Sequence, residues 1–139
     1  MDNVLINKVA TIERCLKRID EEYIGHEDEL ETNFSRQDSI ILNLQRACEA
    51  AIDVAMHIVR VRKLGIPQQS RDAFVMMNEA GLLDKALACR MQAMVGFRNV
   101  AVHNYRQLDM VILRSILNDR RNDFRVFSQA VMMLKGGTN

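Results

Sequence analysis

The chain has 139 residues, of which 48% are hydrophobic and 27% are charged, and its net charge is +1. This length predicts a single domain over residues 1–139, large enough to bury a continuous core without disulfide bonds or structural metals. One proline and six glycines favour long helices over a turn-rich β architecture, so the expected fold is all-α. A net charge so close to zero does not indicate a strongly basic nucleic-acid-binding domain.

The three cysteines are odd in number and widely spaced within helical patterns, so they are predicted to be reduced thiols. No basic N-terminal region is followed by an apolar run and a cleavage site, and no apolar stretch approaches the length of a membrane span. The sequence therefore predicts a cytoplasmic protein that does not associate with a membrane.

The first two predicted helices carry clear helical periodicity. Apolar residues recur at steps of three and four over residues 5–23, which predicts a helix ending near Gly25. After an acidic loop, Ser35 with Asp38 three residues later resembles a capping box and predicts the start of a long second helix. The glycine and proline of residues 65–67 are expected to end that helix.

Three further helices follow from their capping residues. Ser70 is the predicted cap of a short third helix, and Gly81 is the expected left-handed residue after its end. Asp84 is expected to cap a fourth helix that ends at residues 103–104, and Asp109 to open a fifth. The predicted inward-facing positions of the fifth helix include Val111, Ile112, Ser115, Ile116, Phe124 and Phe127. Together these elements predict a single-domain helical bundle of about five helices.

The fourth predicted helix carries an arginine, a histidine and a tyrosine inside an otherwise apolar pattern. On a helical wheel, Arg98 falls on the same face as Met91 and Met94, where a core leucine would be expected. A guanidinium is strongly disfavoured in an unpaired apolar site, so this face is expected to meet an anion, a carboxylate or a wet cleft. The two methionines either fill the core or flank the seam of a dimer.

Arg98 and His103 are five residues apart, so their directions on one straight helix differ by about 140°. Either the helix unwinds before His103, or the same helix of a second subunit completes the site across a twofold axis. Asn99 lies four residues before His103 and is predicted to hydrogen-bond the imidazole and fix its tautomer. An imidazole can accept a proton from a ribose hydroxyl while a guanidinium stabilises charge on phosphate, which suits metal-free RNA cleavage.

The other polar features of the sequence are weaker indicators of a functional site. His26 stands beside three acidic residues, but adjacent loop residues rarely converge on one ion, so neither a metal site nor a cofactor is predicted. His57 lies among apolar neighbours and is predicted to be structural. The acidic stretch at residues 20–31 and the basic clusters at 60–63 and 120–125 are either solvated helix faces or regions that repel and attract polyanions.

The residues at 65–74, 79–84 and 94–99, together with His103 and Tyr105, resemble HEPN-domain toxins of the HepT type over most of the chain. In that family an arginine, four residues, a histidine, one residue and a tyrosine form a signature, which begins here at Arg98 and has no gap. The resemblance implies an all-helical homodimer in which two such motifs line one cleft and cleave RNA as a metal-independent endoribonuclease. The leading hypothesis is that His103 deprotonates the attacking ribose hydroxyl and Arg98 stabilises the phosphorane, leaving a cyclic phosphate.

The resemblance also implies a cognate antitoxin, a minimal nucleotidyltransferase that transfers adenylate from ATP to the signature tyrosine, here Tyr105. Adenylate there would add negative charge and bulk beside Arg98 and His103, competing with an RNA phosphate. An alternative hypothesis is a non-catalytic helical adaptor that binds a nucleotidyltransferase and presents nucleotide or substrate to it. The net charge near zero favours this alternative.

Overall fold

The computed structural model describes residues 2–104 and 108–136, and within these ranges every regular element is helical, which confirms the all-α prediction. None of the helices in these ranges is long and apolar enough to cross a membrane. The elements in chain order are α1 (Asn3–Tyr23), a 3-10 turn (Glu27–Glu29), α2 (Phe34–Val61), α3 (Ser70–Glu79), α4 (Lys85–His103), α5 (Met110–Ser115), a π-helical segment (Ile116–Arg120) and α6 (Arg121–Gly136).

The central element is α2, which packs along α1 and also contacts α3, α4 and α6. Small and β-branched residues on its buried faces let these neighbours approach closely, and Ala47, Val54 and Ala55 are fully buried. Phe74 of α3 meets Phe127 of α6 edge to face, with ring centroids 5.6 Å apart. This packing holds α4 against α2, α3 and α6.

Three aspartates cap helices, and two of these caps were predicted. Asp84 accepts a hydrogen bond from the backbone N–H of Leu87 at 2.7 Å, and Asp109 accepts one from Val111 at 2.8 Å, so both predicted caps are confirmed. Asp2 caps α1 in the same manner. Gly81 follows α3 with φ +78°, as predicted for the left-handed residue after a helix.

The predicted start of α2 is wrong, because Asn33 and not Ser35 is its cap. The Asn33 side-chain oxygen accepts from the backbone N–H of Arg36 at 3.1 Å, and its amide donates to Glu29 at 3.2 Å. Asparagine caps helices as well as serine does, and the second bond ties this cap to the preceding turn. Ser35 therefore lies within the first turn of α2.

The cap of α3 is also displaced by one residue from its predicted position. Ser70 is the first helical residue and Gln69 is the cap. The carboxylate of Asp72 accepts from the backbone N–H groups of Gln68 and Gln69, at 2.9 and 3.0 Å, and so satisfies donors that a serine cap would have left open.

The predicted fifth helix is confirmed as one continuous stretch, but its N-terminal register is wrong. Val111 and Ile112 are 75% and 54% exposed, and Ser115 is exposed as well. The π-helical segment adds a residue to one turn and thereby rotates the face that precedes it away from the core. The buried positions of the stretch are Leu113, Ile116, Leu117, Phe124, Phe127 and Val131.

The contributions of Asn33 and Ser35 to the capping of α2 can be compared by measuring the stability of two variants. Replacing Asn33 by alanine should lower the free energy of unfolding by about 1 kcal/mol, because the first turn loses its side-chain acceptor. The matched change Ser35→Ala should stay within about 0.5 kcal/mol of the wild type. Urea unfolding of the two variants compares them directly, and a larger loss for Ser35→Ala would contradict this assignment.

Candidate functional site

Helix α4 carries Arg98, Asn99 and His103 in its last two turns. The backbone N–H of Asn104 donates to the carbonyl oxygen of Val100 at 2.8 Å, so the helical turn is complete through His103. The proposal that the helix unwinds before His103 is therefore wrong, whereas the predicted end of α4 is confirmed. The directions in which Arg98 and His103 leave the helix differ by about 140°.

The guanidinium of Arg98 is half-buried and makes no ion pair among the described residues. Its Nη1 donates to the side-chain oxygen of Asn99 at 3.0 Å, while its buried Nε has no hydrogen-bond partner in the described part of the chain. Burial and the neighbouring Glu49 raise the pKa of the Cys48 thiol on α2, and Arg98 acts in the opposite direction, which places its charge close to α2. An arginine in this setting has donors left for an anion.

Asn99 is the hydrogen-bond partner of Arg98. Arg98 leaves α4 on the side of α2 and donates to the side chain of Asn99, which stands about 40° from His103 around the helix. The predicted hydrogen bond from Asn99 to the imidazole is not found among the described residues, because the Asn99 oxygen accepts from Arg98 instead. Within one subunit, Asn99 thus links the guanidinium of Arg98 to the residue that stands nearest His103 around the helix.

His103 is the last residue of α4 and is exposed, with no hydrogen bond to any described residue. Its imidazole is thus open to a ligand. Tyr105, the predicted site of modification, lies outside the described residues.

An apolar groove of about 790 Å³ lies between α4 and α5, next to the turn that carries His103. We call it the α4–α5 groove. It was not predicted, because the expected register turned Val111 and Ile112 towards the core. Met91 is 1% exposed and belongs to the core, whereas Met94 is 3% exposed and also lines the groove floor. Other lining residues are Cys89, Arg90, Ala93, Gly96, Phe97, Val100, Leu108, Asp109, Val111, Ile112, Ser115, Ile116 and Arg120.

His57 is a structural histidine, as predicted. It is 9% exposed, and its Nδ1 accepts from the guanidinium of Arg60 at 2.9 Å, which leaves the proton on Nε2 to donate to Asp2 at 2.6 Å. The backbone N–H of Leu5 and the bond from His57 hold the pKa of Asp2 below its usual value. Both ring nitrogens are occupied, so this imidazole is not available for proton transfer.

The charged clusters largely satisfy one another. Asp20 pairs with Arg121 at 3.0 Å and with Arg125 at 2.7 Å, so the acidic stretch neutralises most of the second basic cluster. His26 pairs with Glu29 at 3.0 Å, and the described residues contain no group of three or more side chains that could hold a metal. The idea that the second basic cluster attracts polyanions is therefore not supported at Arg121 and Arg125.

Comparison with known proteins points in one direction. Residues 12–131 match the family model described as ribonuclease HepT-like. The chain is 44% identical to the mRNA nuclease HepT of Shewanella oneidensis over 131 residues. This alignment covers 94% of this chain and 98% of that protein.

Solved structures of toxin–antitoxin complexes contain chains with a similar sequence and fold. The tri-AMPylated Shewanella oneidensis HEPN toxin, in complex with MNT antitoxin, superposes with a TM-score of 0.90 at 44% identity, covering 96% of this chain and 99% of that one. A toxin–antitoxin structure with AMP-PNP has a TM-score of 0.88 at 44% identity, covering 94% and 99% of the two chains.

Proposed function

This chain belongs to the HepT-like ribonuclease family, and we propose that it is the toxin of a toxin–antitoxin pair that cleaves RNA in the cytoplasm without a metal ion. The observation that carries the proposal is the half-buried Arg98 guanidinium, which has no carboxylate partner among the described residues and donates only to Asn99, one turn before His103. A cation held in this way fits a phosphate, and an exposed imidazole beside it fits proton transfer.

The chemistry proceeds by attack of the ribose 2′-hydroxyl on the adjacent phosphorus. His103 takes the proton from that hydroxyl, the new bond from the 2′-oxygen to phosphorus forms, and the bond from phosphorus to the 5′-oxygen breaks. Arg98 stabilises the negative charge that builds on the non-bridging oxygens of the phosphorane. The leaving 5′-oxygen takes a proton from an imidazolium, and the product ends in a 2′,3′-cyclic phosphate.

The proposed active form is a homodimer, in which a second His103 is available as the acid. Support comes from the α4–α5 groove, whose rim exposes Val111 and Ile112 next to the end of α4. An exposed apolar groove that reaches Val100 in the last turn of α4 is the kind of surface that a twofold partner covers. Two copies joined there would bring two α4 ends towards one cleft.

The proposed antitoxin is a minimal nucleotidyltransferase that adenylates Tyr105. Tyr105 follows His103 by two residues, so a phosphodiester on its oxygen would stand close to the cationic end of α4. An adenylate phosphate there competes with RNA for the donors of Arg98 and blocks access to the imidazole. The Shewanella oneidensis toxin described as tri-AMPylated supports this mode of inhibition.

A non-catalytic adaptor is the alternative function, and the net charge of +1 favours it. Such an adaptor binds the nucleotidyltransferase and presents nucleotide or substrate to it, with no need of Arg98 or His103. It predicts that the nucleotidyltransferase keeps its full activity when both residues are removed, and that the chain produced alone does not arrest growth.

Cleavage in excess chelator tests the proposed mechanism. Arg98→Ala and His103→Ala should each lower kcat/KM on the order of a hundredfold or more, because each removes a group that acts on the reacting phosphate. His26→Ala is the matched control, since it removes an exposed imidazole far along the chain, and its activity should match the wild type. Cleavage that requires a divalent metal, or that survives both substitutions, would rule the mechanism out.

Adenylation of Tyr105 is tested by peptide mass spectrometry after incubation with the nucleotidyltransferase and ATP. Added adenylate should appear on the peptide containing Tyr105 and not on the one containing Tyr23, whose side chain is 2% exposed and bonded to Asn118 at 2.6 Å. Tyr105→Phe should leave the toxin active in the presence of the antitoxin enzyme. Neutralisation of Tyr105→Phe, with adenylate elsewhere, would refute the assignment.

The homodimer is tested by size-exclusion chromatography with light scattering. Ile112→Asp should shift the protein to monomer and lower cleavage in parallel, because a carboxylate in the α4–α5 groove would be desolvated by a partner. Ile66→Asp is the control, as Ile66 is 83% exposed and lies outside the groove. A dimer unaffected by Ile112→Asp would place the interface on another surface.

A further inference from the structure

Arg71 of α3 reaches across the fold to the backbone of α4. A Cβ atom placed on Gly96 would lie 3.0 Å from Nη2 of Arg71 and 4.0 Å from its Cζ. A side chain at position 96 would therefore make the guanidinium shift by a few tenths of an ångström or more. Glycine is disfavoured in the interior of a helix, so its presence here keeps that space open for Arg71.

The cation of Arg71 is uncompensated. Arg71 is exposed and makes no hydrogen bond or ion pair with any described residue. Several other arginines are neutralised by carboxylates, among them Arg90 by Asp123 at 2.9 Å and Arg125 by Asp20 at 2.7 Å. Together with Arg98, Arg71 supplies positive charge that the fold leaves available for an anion on this side of the molecule.

The position of Gly96 relates Arg71 to the reacting groups. Gly96 and His103 are seven residues apart, so they share one face of α4 to within about 20° and are separated by about 10 Å along the helix axis. Asn99, which holds the Arg98 guanidinium, lies between them on the same side. Arg71, through its approach to Gly96, and His103 thus lie on one side of α4, and Asn99 lies about 60° around the helix from Gly96.

We propose that Arg71 binds a backbone phosphate of the RNA that flanks the scissile phosphate, and so aligns the strand along α4. About 10 Å is too far for Arg71 and His103 to contact one phosphate, but a polynucleotide carries a phosphate at every residue. This inference rests on the proposed function, because it assigns the neighbouring phosphate of the same substrate. Arg71 is a binding residue in this account and takes no part in the bond-breaking step.

Substrate length separates this role from a catalytic one. With an oligonucleotide of ten or so residues, Arg71→Ala should raise KM about tenfold and change kcat little, because one charge-assisted phosphate contact is lost. The ratio of the two KM values should fall as the substrate is shortened to a dinucleotide with no flanking phosphate. Arg14→Ala, which removes an exposed arginine of α1, is the charge-matched control.

Binding to the inactive His103→Ala variant gives a second readout that does not depend on cleavage. Arg71→Ala in this background should weaken binding of the oligonucleotide and reduce the slope of log K against log salt concentration by about 0.7, the value for one phosphate of a single strand. Fluorescence anisotropy at several salt concentrations measures both quantities.

Gly96→Ala tests the geometry itself. The added methyl group makes the guanidinium shift by a few tenths of an ångström, so this change should weaken RNA binding less than Arg71→Ala does and have no further effect in the Arg71→Ala background. Equal KM, binding and salt slope for Arg71→Ala and the wild type would overturn the inference. If the wild type fails to cleave RNA, the proposed function fails, and the binding measurements still decide the role of Arg71.

Discussion

A cation without a carboxylate partner is the constraint on which the site depends. Arg98 is half-buried against α2, and among the described residues only Asn99 accepts a hydrogen bond from it. Desolvating a charge in this way is costly unless another group compensates it. The cost is consistent with a site whose compensating group is the anionic ligand, since a carboxylate in the same place would compete with phosphate.

The rest of the fold keeps that arrangement available. Helix α2 supports the inner side of α4, and the caps at Asp84 and Asp109 set where α4 starts and where the chain re-enters a helix. Ion pairs of Asp20 bind α1 to α6 and occupy Arg121 and Arg125, whereas Arg98 of α4 and Arg71 of α3 make no ion pair with a described residue. The arginines that form these stabilising ion pairs are therefore different from the two that we assign to RNA binding.

Much of the fold and part of the candidate site could be predicted from the sequence, because apolar periodicity and capping residues are local signals. The bounds of α4 and the anomalous position of Arg98 follow from them directly. Competing caps such as Asn33 and Ser35 could not be separated, since both residue types cap well. A helical wheel gives the direction of a Cβ atom but not the path of a long side chain, so the contact of Arg98 with Asn99 was missed. The approach of Arg71 to Gly96 joins two helices and has no local signature.

The most direct test of the account is the cleavage rate of Asn99→Asp beside that of Asn99→Ala. A carboxylate at position 99 would pair with Arg98 and remove the free cation, so the account predicts that Asn99→Asp is at least about tenfold slower than Asn99→Ala. In the Arg98→Ala background the two substitutions should give equal rates. An Asn99→Asp enzyme as fast as the wild type would contradict the claim that an unpaired guanidinium receives the phosphate.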